Sequence, residues 1–186
     1  MLLAAIYAQD FFDGSYGFWP GRSPHDTMQA LRERCRTQGI GWSVDADVRG
    51  SCDSMDRPRL REVLRHRVKD GRIVRLLGQW LHAGVWEEGG LHHPDPGVVQ
   101  GGTIAPVLAT SLLHQVLDAW LEHAVQPRLK GRSVLIRCAD DVVIGCELDA
   151  DARTSMAVLP KRFARDGLTI HPPRTALMAC RKPAGH

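Results

Sequence analysis

The sequence predicts an α+β fold in which a sheet carries its helices on one face. Its 186 residues fit one domain, and a composition of 44% hydrophobic and 24% charged residues can supply a buried core. The predicted elements follow the order α, β, α, α, hairpin, α, β, β, α, β, β, with no internal repeat and no linker between them. Strands and helices that occur in groups, rather than in strict alternation, are typical of the α+β class.

The first half of the chain contains clear start signals for helices. Ser23 followed by Pro24 is typical of an N-cap with proline at the first helical position, and Gly39 is a stop signal. Asp56 and Asp70 predict the starts of two shorter helices. The predicted elements are a helix to about residue 38, a strand over 42–48, helices over about 58–66 and 70–83, and a hairpin over 85–92.

The second half contains the longest predicted helix, over about 105–126, after a glycine-rich loop at 97–102. Two apolar runs, 133–138 and 142–146, predict a strand–turn–strand unit around Ala139-Asp140-Asp141. A helix over 149–165 follows, which Pro160 is expected to kink or interrupt. Short strands at 168–170 and 175–180 close the predicted fold. Four tryptophans are expected in the core or against the hairpin: Trp42, Trp80, Trp86 and Trp120.

Composition excludes several classes of protein. The five cysteines are an odd number without a C-x-x-C pair, which argues against a disulfide framework and a cysteine zinc site. The nine histidines do not form a convincing ligand set. No apolar run approaches the roughly 20 residues that a membrane helix needs, and the first residues lack the basic region of a signal peptide. We therefore expect a single-domain cytoplasmic protein with no membrane partner.

Positive charge is segregated along the chain. Residues 49–75 carry nine basic and four acidic side chains, whereas 76–127 contain no lysine or arginine. Residues 128–137 add four basic side chains, Arg128, Lys130, Arg132 and Arg137, without an acidic one. A basic face of this kind favours binding to a phosphate backbone, although a solvated helix face has the same pattern. Charge alone leaves both interpretations open.

Three carboxylates occupy positions that would suit a divalent cation. Asp47 closes the first predicted strand, and Asp140 and Asp141 lie at the tip between two apolar strands. Mg²⁺ usually takes one or two carboxylates from a protein and completes its octahedron with water and substrate phosphates. The alternative is an ordinary turn, since aspartate is a favoured turn residue. Asp45 shares a strand face with Asp47, whereas Asp53 and Asp56 are more naturally turn and cap residues.

The order of five motifs separates these alternatives. Along the chain these motifs are SYGFWPGRS at 15–23, DADVRGSCDSMD at 45–56, GVVQGGTIAP at 97–106, RCADD at 137–141 and GLTIHPPRT at 167–175. Block by block, this series resembles the reverse transcriptase encoded by group II introns. The resemblance extends from about Ile6 to Met178, which is nearly the whole chain.

The resemblance implies an RNA-directed DNA polymerase palm, with an RRM-like antiparallel sheet packed against helices. Residues 1–186 would form one reverse transcriptase domain, with part of the fingers at 1–40 and the palm with a fingers-side insertion at 41–186. Thumb and maturase regions are expected to be absent. The implied partners are an RNA template such as intron RNA, a DNA primer and a dNTP. The implied cofactor is Mg²⁺, as two ions, with Mn²⁺ as a possible substitute.

The resemblance also implies roles for individual residues. Asp47, Asp140 and Asp141 would be the catalytic metal ligands, with the Val48 carbonyl facing a metal. The implied nucleotide-binding residues are Arg49, Gly50, Cys52, Gln100, Gly101 and Arg174. The predicted contacts to nucleic acid are Arg22, Arg57, Arg61, Arg65 and Arg72, and for Arg22 a surface ion pair is an equal alternative.

Some positions depart from the family pattern. Cys138 replaces an aromatic residue, and Cys52 replaces a phenylalanine under the incoming sugar, so we expect weak discrimination against ribonucleotides, which Cys52→Phe should improve. Arg174 replaces a lysine and cannot readily give a proton to pyrophosphate. Two alternative functions stay open. They are a non-catalytic RNA-binding remnant of an intron maturase and a relative attached to a CRISPR or defence locus. The oligomeric state is not predicted.

Overall fold

The computed structural model describes residues 7, 12–18, 21–49, 56–81, 85–87, 90–92 and 104–180. Its elements follow the predicted order. They are α1 (Pro24–Gln38), β1 (Trp42–Arg49), α2 (Arg57–Arg67), α3 (Gly71–Leu81), β2 (Val85–Glu87), β3 (Gly90–His92), α4 (Ala105–Leu113), β4 (Ser133–Cys138), β5 (Asp141–Cys146), α5 (Asp149–Arg165), β6 (Thr169–Ile170) and β7 (Ala176–Ala179). Beyond α4 the chain stays helical, with π-helical segments at His114–Asp118 and Leu121–Val125 and a 3₁₀ turn at Gln126–Arg128.

Local side-chain chemistry explains the ends of the first helices. The Ser23 hydroxyl accepts from the Asp26 backbone N–H, and the Asp26 carboxylate accepts from the Ser23 backbone N–H, which forms a capping box at α1. Gly39 ends α1 with a φ of 66°, a left-handed conformation that suits glycine. Asp56 was the predicted cap of α2, but its side chain makes no capping hydrogen bond. One reason is that Pro58, in the first turn, has no N–H to donate.

The main sheet is antiparallel in all its described pairings, in the order β4-β5-β1-β6, and β7 pairs with β1 as well. Strand β1 lies at the centre. On one side it pairs with β5, from Trp42 opposite Cys146 to Asp47 opposite Asp141. The other edge of β1 is shared, because β7 pairs with Trp42–Asp45 and β6 with Val48 and Arg49. The predicted hairpin is a separate sheet of β2 and β3.

The hydrophobic core fills the space between the sheet and its long helices. Alternate residues of β1 and β5, such as Val44 and Ile144, are fully buried in one cluster with Leu117, Leu159 and Phe163 from the helical side. The prediction of helices on one face is incomplete. Helix α1 lies over the opposite face, where Val134 and Ile136 of β4 form a second small cluster with Ile40.

Two local predictions are wrong in part. Pro160 does not interrupt α5, because Leu159 and Phe163 on either side of it are fully buried and hold the helix in place despite one lost backbone hydrogen bond. A kink at Pro160 stays a prediction. Trp80 does not pack in the core, since 48% of its surface is exposed, whereas Leu77 of the same helix is buried. Packing of Trp80 against the hairpin stays a prediction, because the hairpin side chains lie outside the described part of the structure. Trp42 and Trp120 pack against the core as expected, and the Trp86 side chain lies outside the described part of the structure. No helix among the described residues has the length and apolarity to cross a membrane.

Candidate active site

Strand pairing brings the predicted carboxylates to one end of the sheet. Asp47 lies directly opposite Asp141, and their side chains share the face that the helical core does not cover. Asp140 occupies the turn between β4 and β5, and its carbonyl accepts from the Val48 backbone N–H at 3.3 Å. The turn is therefore tied to the end of β1, beside Asp47. The structure thus collects all three aspartates, although their catalytic role remains a prediction.

The turn that carries Asp140 has an unusual backbone. Cys138 pairs with Asp141, so Ala139 and Asp140 alone connect the two strands, and Ala139 has a φ of 59°. A non-glycine residue in this left-handed region costs about 1–2 kcal/mol. Gly17 packs against the same turn, and a Cβ at that position would collide with the backbone nitrogen of Ala139. The strained turn is therefore held in place by the segment around Gly17.

Neighbouring carboxylates raise the affinity of Asp141 for a proton. The pKa of Asp141 lies above its ordinary value because of partial burial and the nearby charges of Asp140, Asp47 and Asp45, which the Arg174 guanidinium partly offsets. Several acidic side chains thus face one small region. Such a concentration of negative charge attracts a cation, and hard carboxylate oxygens suit Mg²⁺ or Mn²⁺.

One cation of the chain itself already contacts this group. Arg174 Nη1 donates to Asp47 Oδ2 at 3.1 Å, and the Arg174 side chain is 72% exposed whereas that of Asp47 is 14% exposed. The His171 backbone N–H donates to the Asp47 carbonyl at 2.8 Å, so the turn at Pro172–Arg174 is anchored to β1. Arg174, predicted to bind the nucleotide, therefore lies beside the carboxylates rather than apart from them.

The carboxylates suit a metal ion that takes only some of its ligands from the protein and the others from the substrate. Within the described ranges, no three His, Cys, Asp or Glu side chains are grouped closely enough to hold an ion by themselves. Mg²⁺ often binds through only one or two carboxylates and takes its other ligands from phosphates and water. Asp47 and Asp141, opposite each other and next to Asp140, meet that smaller requirement.

The structure describes only some of the other predicted site residues. Gly50, Cys52, Gln100 and Gly101 lie outside the described residues. Arg49 is exposed at the end of β1. Arg22, a predicted contact to nucleic acid, donates to the carbonyls of Asp13 and Ser15 at 3.0 and 2.6 Å. Its guanidinium lies 5.0 Å from the centre of the Tyr16 ring. Arg22 thus organises the segment that packs against the turn.

A second charged feature lies between α2 and α3. A cavity of about 510 Å³ is lined by four cationic residues together with Val68, Gly71 and Val74, and none of its described lining residues carries a carboxylate. We call it the cationic cavity, and its basic residues are Arg61, Arg65, Lys69 and Arg75. Arg61 and Arg65 were predicted contacts. Lys69 and Arg75 were not, although Arg61, Arg65 and Lys69 recur every four residues, which is a helical spacing.

The other predicted basic contacts, Arg57 and Arg72, also belong to these two helices. Arg137, in contrast, does not contribute to a basic surface. Its side chain is 0% exposed and pairs with Asp118, whose side chain is also 0% exposed. Counting charges along the sequence could not reveal this burial. Strand alternation was an available signal, because Arg137 shares the face of Leu135, a core residue.

Comparison with known proteins assigns the family. The family model described as reverse transcriptase (RNA-dependent DNA polymerase) matches residues 2–184. A protein encoded in a cob intron of Schizosaccharomyces pombe is 32% identical over 123 residues, which are 66% of this chain and 15% of that protein. The group II intron-encoded protein LtrA of Lactococcus lactis subsp. cremoris is 32% identical over 116 residues, 62% of this chain and 19% of LtrA.

The fold is also found in a solved telomerase structure. The structure of telomerase from Candida albicans, in complex with a TWJ fragment of telomeric RNA, has a TM-score of 0.73 and 12% sequence identity. The match covers 98% of this chain and 34% of that one. The chain thus spans a minor part of the length of these relatives. It belongs to the reverse transcriptase (RNA-dependent DNA polymerase) family, and its homologues include group II intron-encoded proteins.

Proposed function

We propose that the chain provides the palm of an RNA-directed DNA polymerase of group II intron type, which transfers a nucleotide from a dNTP to a primer 3′-hydroxyl. The observation that carries the proposal is the register of β1 and β5, which places Asp47 opposite Asp141 and next to the turn with Asp140. Three carboxylates close together repel one another, and Arg174 offsets only part of this effect at Asp141. Their position at one end of one sheet face is therefore best explained by a cation-dependent reaction.

The residues at this end of the sheet would have different roles in the reaction. Asp47 and Asp140 would hold Mg²⁺, with Asp141 beside them, and Mn²⁺ could replace it. When bound, the metal ions would activate the attacking hydroxyl and neutralise charge on the triphosphate. Arg174, exposed and 3.1 Å from Asp47, can turn its guanidinium to phosphate oxygens. It would orient the phosphates without protonating them, because a guanidinium keeps its proton at any ordinary pH.

The cationic cavity supports RNA as the nucleic-acid partner of this domain. Four basic side chains line one concave surface, and no carboxylate occurs among its described lining residues, so a phosphate backbone would find several contacts there. Contacts of this kind carry no sequence information, and we expect binding with little sequence preference. This cavity is built by α2, α3 and the residues between them, whereas the carboxylates belong to β1, β5 and the turn before β5. It therefore also supports the second candidate, RNA binding without catalysis.

Primer extension tests the proposal. Because the chain spans 19% of LtrA, the assay joins it to the flanking regions of such a relative and supplies RNA template, DNA primer, dNTPs and Mg²⁺. Asp47→Asn or Asp140→Asn should reduce the rate by at least about 100-fold, since electrostatic stabilisation of a transition state is commonly of this size. Asp45→Asn is the matched control, because Asp45 lies on the same strand face but opposite Val143.

The outcomes are distinct. Extension that survives both substitutions would show that these aspartates are not the metal ligands. A fusion protein that folds and binds primer–template, yet does not extend the primer, would favour the RNA-binding function instead.

A further inference from the structure

An ion pair is buried directly behind the turn that carries Asp140. Arg137, the residue before Cys138 in β4, donates from Nε to Asp118 Oδ1 at 2.8 Å and from Nη2 to Asp118 Oδ2 at 2.7 Å. Both side chains are 0% exposed. Burial by itself would raise the pKa of Asp118, but Arg137 and His114 outweigh it and hold the pKa below its ordinary value. The pair is therefore charged, in a fork geometry that fixes both partners.

Stability does not explain such a pair. Removing two charges from water costs so much free energy that apolar residues of similar volume often stabilise a core equally well or better. A buried pair is better explained by the geometry that it imposes on the groups around it.

Asp118 ends a π-helical segment, and Arg162 Nε donates to the Val116 carbonyl of that segment at 2.9 Å. Segments of this kind are frequent at functional sites.

The rest of the Arg137 guanidinium contacts the turn and the neighbouring segment. Its Nη1 donates to the Ala139 carbonyl at 3.0 Å, and its Nη2 also donates to the Ser15 hydroxyl at 2.9 Å. The Ala139 carbonyl belongs to the peptide group that connects Ala139 to Asp140. Since Ala139 has a φ of 59°, this peptide group is held in an orientation that alanine alone would not favour.

Backbone hydrogen bonds complete the connection. The Arg137 N–H donates to the Gly14 carbonyl at 2.8 Å, and the Tyr16 N–H donates to the Arg137 carbonyl at 2.8 Å. The segment at 14–16 is thereby paired with β4 in parallel, next to the turn. Arg137 thus joins the helical layer, the sheet edge and the Asp140 peptide group through one side chain.

We propose that Arg137 and Asp118 are positioning residues that set the direction of the Asp140 carboxylate. The inference rests on the proposed function, because it assigns Asp140 to the metal. Neither side chain can touch metal, nucleotide or nucleic acid, since both are buried, so their effect is transmitted by the Ala139–Asp140 peptide group. The pair keeps the strained turn in one conformation, and Asp140 is thereby held ready before a metal ion arrives.

The test uses the whole chain and a double variant, Arg137→Met with Asp118→Leu, which replaces the pair by apolar groups of similar size. We expect it to fold with an unfolding midpoint close to that of the parent chain. Amide exchange at Val48, whose N–H donates to the Asp140 carbonyl, should become about tenfold faster or more as the turn loosens. The affinity for Mn²⁺, measured by electron paramagnetic resonance, should fall by about 10-fold or more, as it does when groups that orient metal ligands are removed.

The matched control is Arg132→Met with Glu147→Leu, which removes an exposed ion pair at the other end of the same two strands. It should change neither readout. If the Arg137–Asp118 double variant does not fold, Arg137→Lys takes its place, because lysine retains the charge but cannot contact Asp118, Ser15 and Ala139 at once. Val48 exchange should again become faster.

The outcomes separate this inference from the proposed function. A folded variant with unchanged Val48 exchange would overturn the positioning role, and so would faster exchange with unchanged Mn²⁺ affinity. If the parent chain binds no Mn²⁺, the proposed function fails. Faster exchange would then still support the control of the turn by Arg137, and unchanged exchange would still refute it.

Discussion

Arg137 and the basic residues of the cationic cavity have opposite environments. At the turn, Arg137 is fully buried, paired with Asp118 and bonded to Ser15 and Ala139. At the cationic cavity, basic side chains line a surface whose described lining includes no carboxylate. The first arrangement uses charge to fix the geometry of the chain itself. The second leaves charge available for a phosphate backbone.

The comparison shows why position matters more than the number of charges. A buried, paired positive charge is not reached by salt or by a ligand. Its contribution is to fix the orientation of the groups that it contacts. Positive charge at a water-filled cavity is screened by salt and contributes to binding only when a polyanion displaces counterions. The two regions should therefore respond differently to salt, to substitution and to pH.

A large effect is expected on RNA binding at the cationic cavity. Arg61→Gln with Arg65→Gln should weaken binding to single-stranded RNA by about 10-fold at low salt, and should reduce the slope of log K against log salt by about 1.4. Arg132→Gln with Arg153→Gln is the control, because both of these arginines are paired with carboxylates, of Glu147 and Asp149. Filter binding across a salt series measures both quantities. Equal salt slopes for the two double variants would place the RNA elsewhere on the protein.

A glycine-to-alanine substitution should change the free energy of unfolding at the turn but not at the cationic cavity. Gly17→Ala would drive a Cβ into the Ala139 backbone at the turn, and overpacking of this kind costs about 1–3 kcal/mol. Gly71→Ala, beside the cationic cavity, meets no atom within 4 Å and should stay within about 0.5 kcal/mol of the parent chain. Urea unfolding of the two variants makes the comparison. A Gly17→Ala variant as stable as the parent would mean that the turn is not held by this segment.

The smallest expected effect is the pH dependence of Asp141. Because its pKa is raised on folding, the folded chain binds this proton more tightly than the unfolded chain, and the resulting stability is lost as pH rises through the raised pKa. Asp141→Asn should therefore stabilise the chain at pH 7, by less than about 1 kcal/mol because water screens an exposed carboxylate. The advantage should disappear below the ordinary pKa of 3.8. Thermal unfolding from pH 3 to pH 7 tests this, and a variant less stable than the parent at pH 7 would contradict it.

Local signals in the sequence predicted much of this fold. The N-cap at Ser23 with Pro24, the glycine at 39 and the apolar runs around Ala139-Asp140-Asp141 each act within a few residues, and the structure places α1, β4 and β5 there. The order of elements was also predicted correctly. The interruption at Pro160 and the core position of Trp80 were wrong, because both depend on tertiary packing, which overrides local preference.

The candidate site was predicted in its residues but not in its geometry. Motif order indicated Asp47, Asp140 and Asp141, yet the register that sets Asp47 opposite Asp141 depends on pairing between distant strands. The contact between Arg174 and Asp47 and the burial of Arg137 likewise join segments far apart in the chain. Charge counts assigned Arg137 to a surface because they carry no information on which side chains face the core.

The most direct test of the proposed metal site is Mn²⁺ binding by the chain itself, followed by electron paramagnetic resonance. We expect saturable binding that Asp45→Asn leaves nearly unchanged, and that Asp47→Asn and Asp140→Asn each weaken by at least about 10-fold, or 1.4 kcal/mol of binding free energy. Asp45 is the appropriate reference because it lies two residues before Asp47 in the same strand and contributes to the same negative charge around Asp141. Equal affinities in the parent chain and all three variants would contradict the claim that these aspartates form a metal site.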